Sequence, residues 1–541
     1  MFFGLLLAIT SVFSSPIADS ILLAGNFGEP RPHHFHGGID LKTGGVEGVA
    51  VLSVGNGYVS SISIDARGYG NALTIHHPEG YESFYCHLKC FTPQIERLLK
   101  NEQARNRRYS GEFRLRPTDC PVAKGQFIAL SGNSGASHAP HLHFEIHDAS
   151  NGDLLDPLDF LPTDYSDQSS PVLHRVMAYP RPGQGVFCGT PGKTIFPVLP
   201  SNRILTAWGR VGFAIWANDY MTGTYHWMGV RKTELYVDDR LVCSSELARI
   251  PLSKNRMVDY WGDYAHYYRN GVWYLKSFTE EGAQLPFIVT GPDQGWIDFR
   301  EERDYRLKYV LTDVSGNSST YRFIVRGTRS PLPVSASTDS PWQLHGRVCG
   351  SIQLPGIQLD CPEHSLPTRL SLTPKITFKE GAISPTCRFH YTHLPLIQWA
   401  RLSILCRDTT GSRQFYLRGE DGKAYGCGFS NGWVHGRVRE LGQSYEVARD
   451  DSPPVIRLLS AQDKPASGIM FTVSDKGSGL DDVRLYIDGR YAVCRRRDKS
   501  NVFVCELAHA PVRSSSRPHD LLIEATDLVG NRSHIRTTIK H

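Results

Sequence analysis

The feature that most constrains the fold of this chain is a succession of short β-type runs separated by glycine-containing turns. Residues 22–161 contain five such runs: VAVLSVGNGYVSSISI, NALTIHH, ESFYCHL, FIALSG and HLHFEIHD. Apolar and polar residues that alternate over roughly four to eight positions are typical of strands with one buried face. The chain is therefore predicted to be mainly β, with a first β domain at residues 19–162.

One segment within this domain has a helical pattern instead. Thr92 is a favoured helix cap, Pro93 suits the first turn, and the run QIERLLKNEQARNRR follows. Three apolar residues at helical spacing give the run one apolar stripe: Ile95, Leu98 and Leu99. We predict a helical insertion at about residues 91–119, whose basic face is either a solvated surface or a wall beside a substrate.

The chain beyond residue 162 contains an internal repeat. Three pairs of segments match: TELYVDDR (233–240) with VRLYIDGR (483–490), LTDVSGNS (311–318) with ATDLVGNRS (525–533), and SSPVLHRV (169–176) with DSPPVIRLLS (451–460). Alternating strands joined by Gly-Asn turns predict a small antiparallel β-sandwich, present at 163–330 and again at 451–541. Residues 331–450 are predicted to be β-rich, with no fold assigned.

The N-terminal segment is predicted to be a signal peptide covering residues 1–18. An apolar run from Phe2 to Phe13 is too short to span a bilayer and has the length of a secretory segment. A retained anchor and a buried first strand or helix are the alternatives. Beyond this segment no apolar run is long enough to span a membrane. The signal peptide predicts an exported protein of the periplasm or cell envelope, or a secreted one.

Net charge and cysteine content narrow the possible partners and metal sites of the chain. A net charge of +5 on 541 residues gives no case for a nucleic acid partner. The twelve cysteines are spaced too irregularly for a CxxC zinc site. In an exported chain they are compatible with disulfides, for example between Cys494 and Cys505, or with free buried thiols.

A group of histidines with one aspartate carries the chemistry. His36 and Asp40, in the stretch HHFHGGID, are a weak metal signal by themselves. His141 and His143 lie two residues apart in a predicted strand, so their side chains share a face. His87 ends another apolar strand run.

These residue types meet the requirements of a hydrolytic zinc site. Such a site takes three nitrogen or oxygen ligands and leaves one position open, which two histidines and one aspartate satisfy. Two further histidines would remain to handle the proton of the water and to stabilise an oxyanion.

The ordered set of motifs resembles the lysostaphin-like zinc peptidases, peptidase family M23, which cut peptide cross-links in bacterial cell walls. The resemblance covers about residues 25–162 and rests on these motifs: His36-Gly-Gly-Ile-Asp40, Gly55-Asn-Gly-Tyr-Val-Ser-Ser-Ile62, Gly68-Tyr-Gly-Asn71, Tyr85-Cys-His87-Leu88, Gly125-Gln126, Gly132-Asn-Ser-Gly135 and Pro140-His-Leu-His-Phe-Glu145. It implies a lysostaphin-like antiparallel β fold for this domain.

The resemblance also implies roles for individual residues. His36, Asp40 and His143 would bind one zinc ion, while His87 and His141 would polarise the attacking water or stabilise the tetrahedral oxyanion. The implied function is a zinc metalloendopeptidase that hydrolyses peptide cross-links or stem peptides of peptidoglycan. No GxSxG box suggests a covalent nucleophile.

The chain departs from the short family pattern between His87 and Gly125, where the connection is expanded by the basic helical segment. Such expansions resemble those of long members from Bacteroidetes-like Gram-negative bacteria, which also carry β-rich C-terminal regions. Two other functions fit the sequence: a non-catalytic member that binds the cell wall or activates another hydrolase, and a peptidase of other proteins.

Overall fold

The computed structural model describes most of the chain. Its described residues are 11–162, 167–198, 204–280, 282–283, 285–334, 340–346, 348–408, 414–459, 468–497, 499–507, 510–512 and 517–540. Strands make up 48% of the residues and helices 7%, so the prediction of a mainly β chain is confirmed.

The first region, residues 19–162, holds fourteen short strands and one longer helix among its described residues. They are β1 Leu23–Gly25, β2 Pro30–Arg31, β3 His34–Phe35, β4 Ile39–Lys42, β5 Ala50–Leu52, β6 Gly57–Ile64, β7 Asn71–His76, β8 Tyr81–Leu88, β9 Cys90–Phe91, α1 Pro93–Asn106, β10 Gly111–Arg114, β11 Pro121–Val122, β12 Phe127–Leu130, β13 His141–Asp148 and β14 Leu154–Leu155. A 3₁₀ turn follows at Pro157–Asp159.

The main sheet of this region places β13 between β4 and β8. Its antiparallel order is β1-β4-β13-β8-β7-β6, and β5, β12 and β9 form a smaller sheet. Along β13 the side chains of Leu142, Phe144 and Ile146 are fully buried in the apolar core. Because residues alternate between the two faces of a strand, the intervening histidines lie on the opposite face.

By compactness the chain divides into two units. The first comprises residues 1–62, 69–95 and 114–337, and the second comprises residues 63–68, 96–113 and 338–541. Most of helix α1, together with the loop that follows it, therefore belongs to the compact unit formed by the C-terminal part of the chain.

Contacts within the second unit explain the assignment of the helix. Lys100 Nζ lies 3.1 Å from Glu506 Oε2, and Arg495 Nη2 lies 3.1 Å from Glu96 Oε2. The ring of Tyr109 packs edge-on against Phe503. The apolar stripe predicted for this helix is only partly buried. Ile95 and Leu99 are buried, and Leu98 is half-exposed.

The remainder of the first unit is built around two strands of sixteen residues. Its elements are β15 Val172–Phe187, β16 Thr194–Phe196, β17 Leu205–Tyr220, β18 Trp227–Met228, β19 Lys232–Val237, β20 Arg240–Glu246, β21 Arg249–Ile250, α2 Val258–Trp261, α3 Tyr264–Asn270, β22 Leu275–Lys276, β23 Ile288–Thr290, β24 Ile297–Asp298, β25 Asp304–Thr312 and β26 Ser318–Gly327. A 3₁₀ segment, Leu252–Met257, precedes α2.

The C-terminal part continues the β architecture. Its strands are β27 Gln343–Leu344, β28 Gly350–Leu354, β29 Ile357–Cys361, β30 Leu370–Ser371, β31 Lys375–Thr377, β32 Thr386–Arg388, β33 Pro395–Leu405, β34 Phe415–Gly419, β35 Gly428–Ser430, β36 Trp433–Glu440, β37 Tyr445–Arg449, β38 Val455–Leu458, β39 Ile469–Ser474, β40 Leu480–Ile487, β41 Arg490–Ala492, β42 Arg495–Arg496, β43 Val502–Cys505, β44 His519–Asp527 and β45 Arg532–Ile539. The last eight form two four-stranded sheets that share one apolar core, as in a β-sandwich.

The N-terminal segment packs into the first region from residue 11 onward. Phe13 and Ile17 are almost fully buried, and Phe13 N donates to the carbonyl oxygen of Phe160 at 3.1 Å. The first ten residues of the predicted signal peptide lie outside the described residues. No helix in the described ranges is both long and apolar enough to cross a membrane.

All twelve cysteines carry free thiols in the structure. Cys494 and Cys505, the pair considered for a disulfide, are both fully buried in the core of the last sandwich. Burial raises the pKa of both thiols, that of Cys505 to about 12, which keeps both protonated.

Candidate metal centre

The central strand β13 brings one face of histidines against Asp40 on the neighbouring strand β4. In this antiparallel pair His143 is directly opposite Asp40, and His141 is opposite Lys42. His143 Nδ1 lies 2.8 Å from Asp40 Oδ1, and His141 Nε2 lies 3.3 Å from the same oxygen. Asp40 Oδ1 is therefore the point on which these side chains converge.

His36 reaches the same point from the turn between β3 and β4. Its Nε2 lies 3.0 Å from His143 Nδ1 and 3.1 Å from Asp40 Oδ1. The turn requires glycine, because a Cβ at Gly38 would lie 2.1 Å from the carbonyl oxygen of Phe144. On the far side of the ring, His36 Nδ1 lies 2.6 Å from the carbonyl oxygen of Asn26.

His87 and His141 form a second pair beside these three residues. Their ring centroids are 4.9 Å apart, and the ring of His87 lies 5.9 Å from that of His143. His87 Nδ1 lies 2.8 Å from the carbonyl oxygen of Ser134, and His141 Nδ1 lies 2.8 Å from that of Ala139. A neutral imidazole that donates from Nδ1 keeps an acceptor at Nε2, so His87, which burial keeps neutral, presents a lone pair to the site.

Burial and hydrogen bonds together set the charge of three of these histidines. It lowers the pKa of His36 to about 4 and that of His87 to about 3, so both rings are neutral at pH 7. Burial also opposes the charged form of His143, but its hydrogen bonds to Asp40 and Glu145 outweigh that effect and raise its pKa to about 9. A neutral imidazole is the form that ligates a metal.

Asp40 is held ionised despite its burial. Burial would raise its pKa, but the surrounding histidines, His36 first among them, hold the pKa well below its usual value. Its second oxygen, Oδ2, accepts a hydrogen bond of 2.6 Å from Arg31 Nη2. This ion pair was not anticipated from the sequence, and it leaves Oδ1 as the oxygen that faces the histidines.

Glu145 is a further member of the site that the sequence reasoning quoted only as part of a motif. Its Oε1 lies 2.7 Å from His143 Nε2 and 3.2 Å from the hydroxyl of Tyr69. Its Oε2 lies 2.6 Å from His147 Nε2. The signal was present in the strand pattern, because positions 141, 143, 145 and 147 all face one side of β13.

The three predicted ligands fit a zinc ion. One donor atom from each of His36, Asp40 and His143 lies within 4.8 Å of the others, and all three residues are buried. Two imidazole nitrogens and one carboxylate oxygen match the borderline-soft donors that catalytic zinc prefers. The hydrogen bond that His143 Nε2–H donates to Glu145 is the type of support that orients a zinc-bound histidine.

Residues that lie more than 200 positions later support the segment that carries His36. Asn255 Oδ1 accepts a hydrogen bond of 2.6 Å from the backbone N–H of Phe35. The ring of Phe35 contacts those of Trp261 and Phe287. Phe35, next to His36 in the chain, is thus held by the part of the first unit that follows the histidine-bearing sheet.

Comparisons with known proteins match the same part of the chain. An uncharacterized metalloprotease of Haemophilus influenzae is 32% identical over 131 residues, which are 24% of this chain and 21% of that protein. The murein hydrolase activator NlpD of Escherichia coli is 32% identical over 125 residues, 23% of this chain and 26% of NlpD. These matches fall on the region that carries the ordered histidine and aspartate motifs, and they agree with the predicted resemblance of that region to the lysostaphin-like peptidases. Residues 19–162 are therefore named the lysostaphin-like domain for this similarity.

The lysostaphin-like domain also matches solved structures. The catalytic domain of lysostaphin from Staphylococcus simulans is 23% identical, with a TM-score of 0.17, and covers 23% of this chain and 76% of its own. The chain spans about a fifth to a quarter of the length of the curated relatives. Outside the lysostaphin-like domain, residues 348–450 match the model of a Zu5-like domain, within the region to which the sequence assigned no fold.

Proposed function

We propose that this chain is a zinc metalloendopeptidase of the bacterial cell envelope that hydrolyses peptide bonds in the cross-links or stem peptides of peptidoglycan. The observation that carries the proposal is the convergence of five side chains on Asp40 Oδ1 and its surroundings: His36, Asp40, His87, His141 and His143.

His36, Asp40 and His143 would hold the zinc ion through the nitrogen and oxygen atoms that already converge. A zinc ion bound to such a set supplies a Lewis acid for a carbonyl oxygen and lowers the pKa of water. The ion pair with Arg31 fixes the rotamer of Asp40, so the carboxylate would contribute one oxygen, Oδ1.

His87 and His141 would manage the protons of the reaction. Each ring is anchored through Nδ1 by a backbone carbonyl, which leaves Nε2 to accept a proton from the attacking water. The protonated Nε2 can then donate to the developing oxyanion or to the leaving amine. Because burial keeps His87 neutral, its Nε2 carries a free lone pair at neutral pH.

The relatives support both a catalytic and a non-catalytic member of the family. One match is named a metalloprotease and another a murein hydrolase activator. The complete set of five residues favours catalysis in this chain. The alternative is that the chain binds cell-wall peptides or activates another hydrolase without cutting, and a peptidase that acts on other proteins is the third possibility.

The deciding experiment is release of soluble muropeptides from purified peptidoglycan by the zinc-loaded chain. His141→Ala is the test variant, and His138→Ala, at an exposed position a few residues away, is the matched control. Casein is offered in parallel as a protein substrate. We expect muropeptide release from the wild type and His138→Ala, and none from His141→Ala.

Other results of the same experiment would support one of the two alternative functions. If the zinc-loaded wild type binds peptidoglycan without releasing fragments, the non-catalytic function replaces the proposed one. If casein is cut and peptidoglycan is not, the chain is a peptidase of other proteins. The masses of released fragments identify which peptide bond is cleaved.

A further inference from the structure

A second group of acidic side chains lies in the part of the first unit that follows the lysostaphin-like domain. One carboxylate oxygen from each of Asp167, Asp219 and Asp313 lies within 4.8 Å of the others. Asp167 precedes strand β15, Asp219 is near the end of β17, and Asp313 directly follows β25. Three segments far apart in sequence thus place negative charge at one point.

Two of the three carboxylates are held by hydrogen bonds. Asp167 Oδ1 accepts from the backbone N–H groups of Ser169 and Thr222 at 3.0 and 2.9 Å. Asp313 accepts from the backbone N–H and the side-chain amide of Asn317, each at 2.8 Å. These bonds fix the positions of the two carboxylates.

Asp219 differs from the other two because one of its oxygens has no partner. Its relative exposure is only 4%, and its Oδ1 is buried without a hydrogen bond. A buried carboxylate oxygen without a donor or a counter-charge is costly, which is why such groups are normally paired or bound to a cation. This unsatisfied oxygen is independent of the clustering and points to a ligand with positive charge.

The same arrangement recurs in the last sandwich, at Asp450, Asp475 and Asp527. Asn531 donates to the carbonyl oxygen of Asp450 at 2.8 Å, as Asn317 donates to that of Asp167 at 3.0 Å. The recurrence has one difference. Asp475 Oδ2 accepts from the backbone N–H groups of Gly477 and Gly479, so its charge is partly satisfied.

We propose that Asp167, Asp219 and Asp313 bind a calcium ion. All three ligands are carboxylate oxygens, the donors that hard cations prefer, and the described part of the cluster offers none of the nitrogen or sulfur donors that favour zinc. Calcium binds oxygens at about 2.3–2.6 Å, so two oxygens on one ion can be up to about 5 Å apart, which accommodates the observed spacing. Magnesium requires shorter, near-octahedral contacts and fits such a group less well.

The bound ion would tie together the start of β15 and the ends of β17 and β25. It would thereby fix the start of β15 against the ends of the two other strands. The proposal does not depend on catalysis at the zinc site, and its test does not measure peptidase activity.

The test measures calcium binding and thermal unfolding of the full chain, freed of calcium and supplied with zinc. Calcium chloride is added in a calorimetric titration and, separately, before thermal unfolding. The variants are Asp219→Asn, which keeps the shape of the side chain, and Asp475→Asn in the second cluster. Asp239→Asn, with a side chain 91% exposed in the same part of the first unit, is the matched control.

We expect calcium at about a hundred times its Kd to raise the Tm of the wild type by roughly 5 °C, and magnesium to raise it less. Asp219→Asn should weaken calcium binding about tenfold or more and abolish most of that rise, while Asp239→Asn retains it. Asp219→Asn should fold normally in the absence of calcium, because the amide is neutral, as is the ion-free carboxyl of Asp219, whose pKa burial raises to about 8.

Three outcomes would overturn the proposal. The first is that the wild type shows neither binding heat nor a Tm change with calcium. The second is that Asp219→Asn keeps the full effect. The third is that Asp475→Asn alone removes the effect, which would place the ion in the other cluster.

Discussion

Asp259 holds the backbone of His33, three residues before the first predicted zinc ligand. Its Oδ1 accepts from the backbone N–H of His33 at 3.0 Å, and its Oδ2 lies 2.9 Å from His33 Nδ1. His33 adopts a φ of +69°, a conformation that is costly for a residue with a side chain and needs such support. The position of His36 therefore depends on Asp259, which lies 226 positions after His33.

We predict that Asp259→Ala weakens zinc binding, although Asp259 is not one of the proposed ligands. The variant removes both acceptors of His33, so the zinc affinity should fall by about tenfold, in the range found for supporting residues of metal sites. Zinc dissociation constants measured by competition with a chelating dye test this. Lys254→Ala, an exposed neighbour, should leave the affinity unchanged, and an unaltered affinity in Asp259→Ala would refute the dependence.

The two histidines outside the ligand set should act on rate and not on metal content. His87→Ala and His141→Ala are each expected to lower kcat by about 10²–10⁴-fold, the usual contribution of a positioned acid–base group. Zinc content per chain should remain that of the wild type. Loss of zinc from either variant would instead assign that histidine to the ligand set.

Glu145→Gln tests the support of His143. The amide cannot accept from both His143 and His147 as the carboxylate does, so the zinc affinity should fall by about 10–100-fold. Activity should return when excess zinc is supplied, because the ligands themselves are intact. Glu79→Gln, at an exposed position, provides the control, and activity that excess zinc fails to restore would give Glu145 a different role.

Asp263 gives the first unit an acid-sensitive contact. Its Oδ2 is 2.6 Å from Lys193 Nζ and 2.8 Å from the hydroxyl of Tyr179, and its Oδ1 caps helix α3. Burial opposes ionisation, but Lys193 and the hydrogen bonds outweigh it and lower the pKa of Asp263 below 3.8. The resulting stability is present above the unfolded pKa and is lost as the pH falls through the folded one.

Asp263→Asn should therefore lower the free energy of unfolding by about 1–3 kcal/mol at pH 7. The difference from the wild type should begin to shrink as the pH falls below about 4, where the unfolded carboxyl takes up a proton, and should vanish below the lower pKa of the folded state. Denaturant unfolding at several pH values measures this. A difference that stays constant down to pH 2 would contradict the assignment.

Phe13 tests whether the N-terminal segment is part of the folded domain. Its ring is fully buried against His77, Tyr81 and Phe160, so Phe13→Ala should cost about 3–5 kcal/mol of stability. Val12→Ala, at a position 43% exposed, should cost far less. Predicted signal cleavage after residue 18 would remove this ring, and the mass of the mature chain shows whether it does.

Much of the candidate site could be predicted from the alternating pattern of the strands. The two-residue periodicity of HLHFEIHD was enough to put His141 and His143 on one face, because alternation is a local property of any strand. Neither the pairing of Arg31 with Asp40 nor the contact between Asp259 and His33 has a local signature. Both depend on backbone turns or on partners distant in sequence, which periodicity does not encode.

The repeat was visible in the sequence, yet the acid clusters within it were not. Asp313 and Asp527 stand in the matching TDVSGN and TDLVGN segments, but Asp219 and Asp475 have unlike neighbours. Their equivalence appears only once the strands are folded. The thiols of Cys494 and Cys505 are a similar case, since their number and spacing permitted a bond that the structure does not contain.

The placement of helix α1 with the C-terminal part of the chain has a consequence for the order of folding. The partners of Glu96 and Lys100, namely Arg495 and Glu506, are separated from them by 399 and 406 residues. A ribosome adds roughly 5–20 residues each second, so the insertion waits about 20–80 s for those partners after its own synthesis. During that interval the aromatic ring of Tyr109 has no Phe503 to cover it, and the nascent chain exposes an apolar surface that a chaperone can recognise.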